Sequence, residues 1–572
     1  MKPTDASESP SVRGVSNTKT HEVLNQPPPL TGYNLYLSDV ALVEAVQREG
    51  ADWATAQLNT LGKFLGTEEA QLWGFEANEN EPVLHTHDRF GNRRDEVEFH
   101  PSWHGLMRTS IENRLHSLPW VEQRRGAHVA RAALLMLAAQ NEMGHICPIS
   151  MTFSAVAVLR AGPALAAEWE PRILSSSYDP RFLAAPKKSG VLVGMGMTEK
   201  QGGSDVRANT TLAERMGNSR EYLITGHKWF CSAPMCDAFL VLAQAPKGLS
   251  CFLLPRWTPD GERNAFHIQR LKRKMGNRSN ASSEVEFARA WARLIGEEGR
   301  GVHTIIEMVN CTRLDCATAS AGLMRAAVVQ AVHHAKHRKA FGKLLIEQPL
   351  MKNVLADLIV ESEAATLLMV RVASAFDGRA SSEQESAFAR IATAIAKYWL
   401  CKRAPVHVGE ALECLGGNGY VEESVMPRLY CEAPLYSIWE GAGNVICLDV
   451  LRTLAKEPLS LHALLQEIRL GAEADKRLTA FASKFEAGLR QHGRVDGEAG
   501  DADLQKEARR LTESAALLLQ GSLLARCAPS PIADAFIASR LAREGGLTFG
   551  TLPGASNVPA ILGRVSEHLA IR

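Results

Sequence analysis

The stretch Ser189-Gly190-Val191-Leu192-Val193-Gly194-Met195-Gly196-Met197-Thr198 divides the chain. It is apolar but broken by glycine, and each glycine costs a helix about 1 kcal/mol relative to alanine. Similar short runs follow at 221–230, 238–245 and 250–255, separated by Gly, Pro and Asn. No long helical period lies among them, so a β-domain over 189–300 is expected, closed by Gly299-Arg300-Gly301.

Outward from that stretch the period becomes helical in both directions. Upstream, Leu42, Ala45 and Val46, then Ala130, Ala133, Leu134 and Leu137, keep i, i+3, i+4 spacing between 39 and 173. Downstream, 302–337, 349–376, 383–414 and 445–454 suit a helical bundle, and 459–470 and 504–524 suit further helices. Ahead of all these, 1–34 reads as a Ser/Thr/Pro-rich, disordered or extended tail. The order predicts an α+β class, mostly α. It comprises an N-terminal helical domain (35–188), a middle β-barrel-like domain (189–300), a C-terminal four-helix bundle (301–456) and an extra C-terminal helical domain (457–572). With no βαβ series and no G-x-G-x-x-G between strand and helix, a Rossmann dehydrogenase is excluded.

At 572 residues the chain exceeds what one core serves, and 22% charged residues fit an ordinary globular protein. A net charge of +1 demands no polyanion partner, so any such site must be local. The eleven cysteines include no C-x-x-C pair; reduced thiols, no metal site and a cytoplasmic location are expected. The start, 1–20, has no apolar core of a signal peptide, and no run approaches a membrane span.

Six motifs could carry chemistry. In Met197-Thr198-Glu199-Lys200-Gln201-Gly202-Gly203-Ser204-Asp205, hydroxyls and glycine-freed N–H groups can bond a ring carbonyl and a phosphate, or the run is a polar turn. In His227-Lys228-Trp229-Phe230-Cys231-Ser232, aromatics at a strand end can wall a planar ligand or pack in the core. Arg270, Lys272, Arg273, Lys274 and Arg278 stand in a loop without acids, suited to phosphates, to nucleic acid or to solvent. Arg338, in His337-Arg338-Lys339-Ala340-Phe341-Gly342, can grip a pyrophosphate or serve a helix C-terminus. Gly416-Gly417-Asn418-Gly419-Tyr420 allows close backbone approach, or is only a turn. Last, Ile438-Trp439-Glu440-Gly441-Ala442-Gly443-Asn444 sets a carboxylate between a bulky pair and glycines, where an apolar flank can raise its pKa as a general base needs.

Taken in this order, M-T-E…G-S-D, W-F-x-S, K-x-G-x-R-S (274–279), R-x-x-F-G, G-G-x-G-Y and the late Glu resemble the acyl-CoA dehydrogenase superfamily of flavoproteins. The resemblance covers roughly 35–455. The opening N-Q-P-P-P-L, the G-N-R-S-N-A-S loop, S-I-W-E-G-A-G-N and the added C-terminal helices resemble more closely the superfamily branch tied to the bacterial adaptive response to DNA alkylation. The resemblance implies FAD as cofactor. Met197, Thr198, Gly203, Ser204, Phe230, Cys231 and Ser232 would contact it, and Ile438, Trp439, Gly441, Gly443 and Asn444 would cover it. Arg338, Phe341, Gly416 and Gly417 would reach the FAD of a neighbouring subunit in a homotetramer. Glu440 would be the catalytic base.

The implied function is an alkylation-response flavoprotein that associates with double-stranded DNA and protects it from or detoxifies alkylating agents. A weak dehydrogenase activity on isovaleryl-CoA-like acyl-CoA is implied beside it, since Trp439, Ala442 and Cys447 replace the family's usual Tyr, Thr and Arg. Its ligands would be acyl-CoA or another small electrophile or thioester. A catabolic short- or branched-chain acyl-CoA dehydrogenase and a non-catalytic, FAD-stabilised DNA-binding scaffold are the alternatives. The last 117 residues carry 15 Lys/Arg and 14 Asp/Glu, so a DNA face needs segregated cations. Lys476, Arg477, Lys506, Arg509 and Arg510 are the candidates.

Overall fold

A computed structural model describes residues 20–492 and 502–566. Helices fill the N-terminal third, among them α1 (Ala127–Asn141) and α2 (Ile146–Leu159), both buried over nearly their whole surface. A helix apolar on every side must sit inside a larger assembly of helices. One element there departs from the helical expectation. Val83–His87 and Arg93–Glu98 pair as an antiparallel hairpin. Asp88 builds its turn by accepting the N–H groups of Phe90 and Asn92. Asp95 then takes the N–H of Ile268, fixing the hairpin to the β-region.

That region holds β1 (Val193–Gly196), β2 (Leu212–Arg215), β3 (Glu221–Ser232), β4 (Ala238–Ala245), β5 (Gly248–Pro255), β6 (Phe266–Leu271) and β7 (Ser282–Ile295). Pairing runs β4-β2-β3-β7-β5 and returns from β5 to β4, so the sheet closes on itself with β1 and β6 outside the ring. This is the barrel-like arrangement expected, and closure leaves few unpaired edges. In β3 the pairing with β7 slips between Lys228 and Cys231, a bulge that falls on Trp229-Phe230.

Downstream, α3 (Gly301–His337), α4 (Pro349–Gly378) and α5 (Glu383–Glu413) form the bundle, followed by α6 (Val425–Glu432) and α7 (Gly443–Lys456). Pro349 at the first position of α4 and Ser382 capping α5 through the Glu385 N–H set two of the starts. Along α3 the core is continuous, with Met308, Ala317, Leu323 and Val332 fully or almost fully buried. Its three internal charges are each paired: Arg313 with Asp449, Asp315 with Arg131, and Arg325 with Asp39.

Of the added helices, α8 (Pro458–Ala472), α10 (Ala502–Cys527) and α11 (Val558–Ser566) pack on the bundle, while α9 (Lys476–His492) packs on α8 and α10. Trp399 donates to Gln520, and Arg371 pairs with Glu467. Residues 20–34 of the expected tail form no helix or strand and lie against the folded part. Leu30 and Tyr33 are buried, and Pro28 accepts a hydrogen bond from His333. The rest of that tail, 1–19, lies outside the described residues. Among the described residues no helix is long and apolar enough to cross a membrane.

Candidate functional site

Glu440 is one of few non-glycine residues with a positive φ, at 57°, and Gly441 follows at 104°. Such a backbone persists only where the surroundings hold it. Two cations of the bundle do so through carbonyls. Arg313 Nε donates to the Glu440 carbonyl at 3.1 Å, and Lys397 Nζ donates to that of Gly441 at 2.6 Å. The loop is therefore pinned by its main chain. Glu440 Oε2 is buried and has no hydrogen-bond partner. Burial pushes this carboxyl above its ordinary range, and Thr312, Arg313 and Lys397 oppose the rise.

Arg313 is fixed in turn. Its Nη1 pairs with Asp449 at 2.8 Å, and Asp449 also holds Arg390 at 2.9 Å and Arg452. Asp449 stands on α7, directly after the glycine run, so the helix that ends the loop also anchors the cation that shapes it.

On the barrel side, a buried pair organises the first motif. Lys228 Nζ meets Glu199 Oε1 at 2.8 Å with both side chains fully inaccessible. Glu199 also accepts the N–H groups of Thr210 and Thr211. With Lys228 turned inward, the bulge turns Trp229 and Phe230 out, and Phe230 is 48% exposed. The Trp229 N–H reaches the Thr198 carbonyl at 2.8 Å, which joins the two motifs. At Gly203 a Cβ would lie 2.5 Å from Thr198 Oγ1, so only glycine lets the loop fold back on that hydroxyl. Ser204 is exposed beyond it.

The barrel and the 438–444 loop approach each other at Cys147 of α2. Burial pushes its thiol up to about 11, with Ser232, Asn280, Glu440 and Lys274 close enough to act on it. Behind it, Glu142 accepts hydrogen bonds from His145 and Ser279, and Glu432 accepts the Asn277 N–H at 2.7 Å. Glu432 is pushed up to about 7 by burial and by the Glu142 carboxylate.

The loop and bulge thus bring Met197, Thr198, Gly203, Ser204, Phe230 and Ser232 together. Cys231 differs: its side chain is fully buried and its carbonyl is taken by Ser283, so it offers no side chain to a ligand. Ile438 is exposed, Trp439 packs edge-on against Tyr436, and Gly443 and Asn444 open α7. Arg338, Phe341, Gly416 and Gly417 form a separate, outward-facing group. Phe341 is 99% exposed, and nothing lies within 4 Å of a Cβ at either glycine. Arg338 donates to the Asn25 carbonyl and Asn418 to Gln26, so one N-terminal segment ties both loops.

The loop at 270–279 is not the free cationic surface its composition suggested. Arg270 and Lys272 pair with Glu284, while Lys274 donates inward to Asn280, and Asn277 and Ser279 are buried. Four of the five proposed DNA contacts have local partners as well. Arg477 pairs with Asp475 and Asp534, Lys506 with Asp503 and Arg510 with Glu507. Arg509 donates to Asn444 Oδ1 at 2.9 Å and so belongs beside the glycine run, not on a distant face.

Sequence reasoning missed Arg313, Lys397, Cys147 and the Glu199–Lys228 pair. Charges inside the apolar stretch 311–321 could have pointed to Arg313, because a buried charge needs a partner.

The residues present suit a flavin: a hydroxyl-bearing loop that only glycine lets fold so tightly, an aromatic turned outward beside it, and a carboxyl with one buried, unpartnered oxygen. Comparison with known proteins agrees. The AidB adaptive response protein N-terminal domain family matches residues 25–180, the acyl-CoA dehydrogenase middle domain 194–290 and the acyl-CoA dehydrogenase C-terminal domain 299–455. The chain is 47% identical to AidB of Escherichia coli (strain K12) over 92% of its own length and 96% of the relative's. It is 31% identical to acyl-CoA dehydrogenase family member 11 of Caenorhabditis elegans, over 82% and 79% of the two lengths. The solved structure of Caenorhabditis elegans ACDH-11 in complex with C11-CoA superposes with a TM-score of 0.82 at 26% identity, covering 99% of this chain and 96% of the other.

Proposed function

Since the chain belongs to the acyl-CoA dehydrogenase family, in its AidB-like group, we propose that Glu440 is the base of an FAD-dependent oxidation of a CH–CH bond beside a thioester. FAD is the cofactor, and when bound it supplies the acceptor for the hydride leaving the β-carbon. The chain's own residues do the rest. Thr198 and Ser204, with the freed N–H groups of their loop, bind the flavin. Arg313 and Lys397 hold the Glu440 backbone so that the carboxylate faces the reacting carbon. Burial keeps that carboxylate basic enough to take the α-proton. The observation that carries this reading is the buried, unpartnered Oε2 on a loop pinned by its carbonyls. A relative holding C11-CoA supports an acyl-CoA ligand. Anaerobic addition of an acyl-CoA panel bleaches the flavin of the wild type and leaves that of Glu440→Gln yellow. No bleaching by any thioester would refute the reading.

A second copy completes the cofactor site in this proposal. Arg313 and Arg338 lie on or at the end of one helix, about 37 Å apart at 1.5 Å per residue. A single chain therefore cannot turn both Arg338 and Glu440 to one flavin. Exposed Phe341, Leu350 and Tyr420 surround the Arg338 group, as an interface between copies would require. A homotetramer is the expected assembly, and a monomeric mass in solution would contradict it.

The AidB likeness also supports association with double-stranded DNA in an alkylation response. Lys476 and Arg509 are the candidate cations without an acidic partner among the described residues. Binding then needs the ion pairs of Arg477, Lys506 and Arg510 to be exchanged for phosphates, so it falls steeply with salt. Absence of duplex binding at about 50 mM salt sinks this part alone.

A further inference from the structure

Two buried carboxyls stand behind Glu440 and grip one loop between them. Glu142 joins α1 to α2 and accepts four hydrogen bonds: the Gly144 N–H at 2.6 Å, the His145 N–H at 2.9 Å, His145 Nδ1 at 2.8 Å and Ser279 Oγ at 2.7 Å. Glu432 ends α6 and takes the Asn277 N–H on Oε1 at 2.7 Å, while its Oε2 is buried without a hydrogen-bond partner. One carboxyl comes from the N-terminal helices and the other from the bundle, and the loop joins β6 to β7 of the barrel.

The loop takes its shape from that grip. Asn277 has a positive φ of 56°, a backbone that a non-glycine residue keeps only where its surroundings hold it. Asn277, Ser279 and Asn280 are fully or almost fully buried. A Cβ on Gly276 would lie 2.4 Å from the Cys431 carbonyl, so the loop sits directly on the last turn of α6. Asn280 donates to Asn277 Oδ1 at 2.9 Å, and Asn280 Oδ1 and Asn277 Nδ2 are left buried and unpartnered. The loop reaches the base through Cys147, since Asn280 and Glu440 are both close enough to act on that thiol. The two carboxyls also act on Tyr436, which packs edge-on against Trp439, the residue before Glu440.

We propose that Glu432 is a positioning residue for the base: with Glu142 it holds 277–280, and the loop in turn sets Cys147 beside Glu440. The proposal rests on the reading of Glu440 given above. The hold requires a neutral Glu432. Glu142 is ionised: burial raises it, but His145 and Ser279 outweigh burial and hold it down to about 2. Burial and the Glu142 carboxylate push Glu432 up to about 7, against the Asn277 N–H, Arg428 on α6 and Lys274 in the loop. Cys431 and Tyr436, the neighbouring titratable groups on either side of it in sequence, are raised by burial and stay neutral. Above about pH 7 a second charge therefore falls on an oxygen without a donor, facing another carboxylate, and it forces the loop from α6.

The test is hydrogen exchange of the segment 274–283 in the holoenzyme, comparing wild type, Glu432→Gln and Glu432→Leu at the same pH. Wild type and Glu432→Gln protect the segment equally at pH 5.5, and at pH 8.5 wild type exchanges about 10-fold faster. Glu432→Leu, with no acceptor for the Asn277 N–H, loses protection at both values, and protection retained there would overturn the proposal. Beside this, exchange of an acyl-CoA α-proton with deuterated buffer falls about tenfold per pH unit above pH 7 in wild type and stays level in Glu432→Gln. Equal protection of wild type and Glu432→Gln at pH 8.5 overturns the proposal. Unequal protection with the same α-proton profile in both also overturns it, because the loop is then held without positioning the base. No α-proton exchange by wild type at any pH overturns the underlying reading of Glu440, and this proposal with it.

Discussion

Arg313 clamps Glu440 through its backbone carbonyl, and its charge also holds the Glu440 carboxyl down against burial. Arg313 Nε donates to the Glu440 carbonyl at 3.1 Å, while its Nη1 is spent on Asp449. A cation beside a base would ordinarily neutralise it. Here the cation is saturated by a carboxylate of the next helix and still shapes the loop.

Arg313→Met should therefore damage turnover more than folding. Asp449 keeps Arg390 and Arg452, but the positive-φ loop loses its clamp. A contact of this kind contributes about 1.5–3 kcal/mol. The expected result is a kcat lower by roughly 10- to 100-fold, with the overall fold retained in circular dichroism.

The pH profile follows from burial. Glu440 must be ionised to accept a proton, so activity rises with pH through its pKa, which lies above the ordinary carboxylate range. Lys397 lowers that pKa. Lys397→Met should move the acidic limb of the kcat/KM profile to higher pH, and a shift to lower pH would contradict the assignment.

Beneath the flavin loop, the Glu199–Lys228 pair is fully buried. Removing one partner strands the other charge, at a cost of about 3–5 kcal/mol. Urea unfolding of Lys228→Met should show this loss. The double variant Glu199→Gln/Lys228→Met should recover part of it.

Glu432 couples stability to pH. Its folded value of about 7 exceeds the ordinary 4.5, so between these values the folded chain holds a proton that the unfolded chain has released. Stability falls as pH rises through that window, and the full penalty stands above pH 7. Glu432→Gln, still able to accept the Asn277 N–H, should stabilise the protein by roughly 1–3 kcal/mol at pH 8 and by nothing below pH 4.5.

The layer order was legible because period and glycine spacing are local properties. Glu440 was legible from its glycine-rich flank and from its place after five other motifs. Its clamp was not: Arg313 and Lys397 lie 127 and 44 residues away, counting to Glu440 and Gly441 respectively, and act on carbonyls that sequence does not reveal. The cations at 270–278 misled for the converse reason. Composition shows charge but not direction, and folding turned Lys274 inward and set Arg270 and Lys272 on Glu284. Arg509 was read with its helical neighbours, whereas tertiary packing sends it alone to Asn444.

The base itself can be tested apart from hydride transfer. A 3-thiaacyl-CoA has sulfur at the β-position and cannot be oxidised there, but its α-protons can exchange with solvent. Proton NMR in deuterated buffer should show wild-type enzyme washing out the α-proton signal and Glu440→Gln leaving it intact. Equal washout by both proteins would show that another group removes the proton and would contradict the role of Glu440.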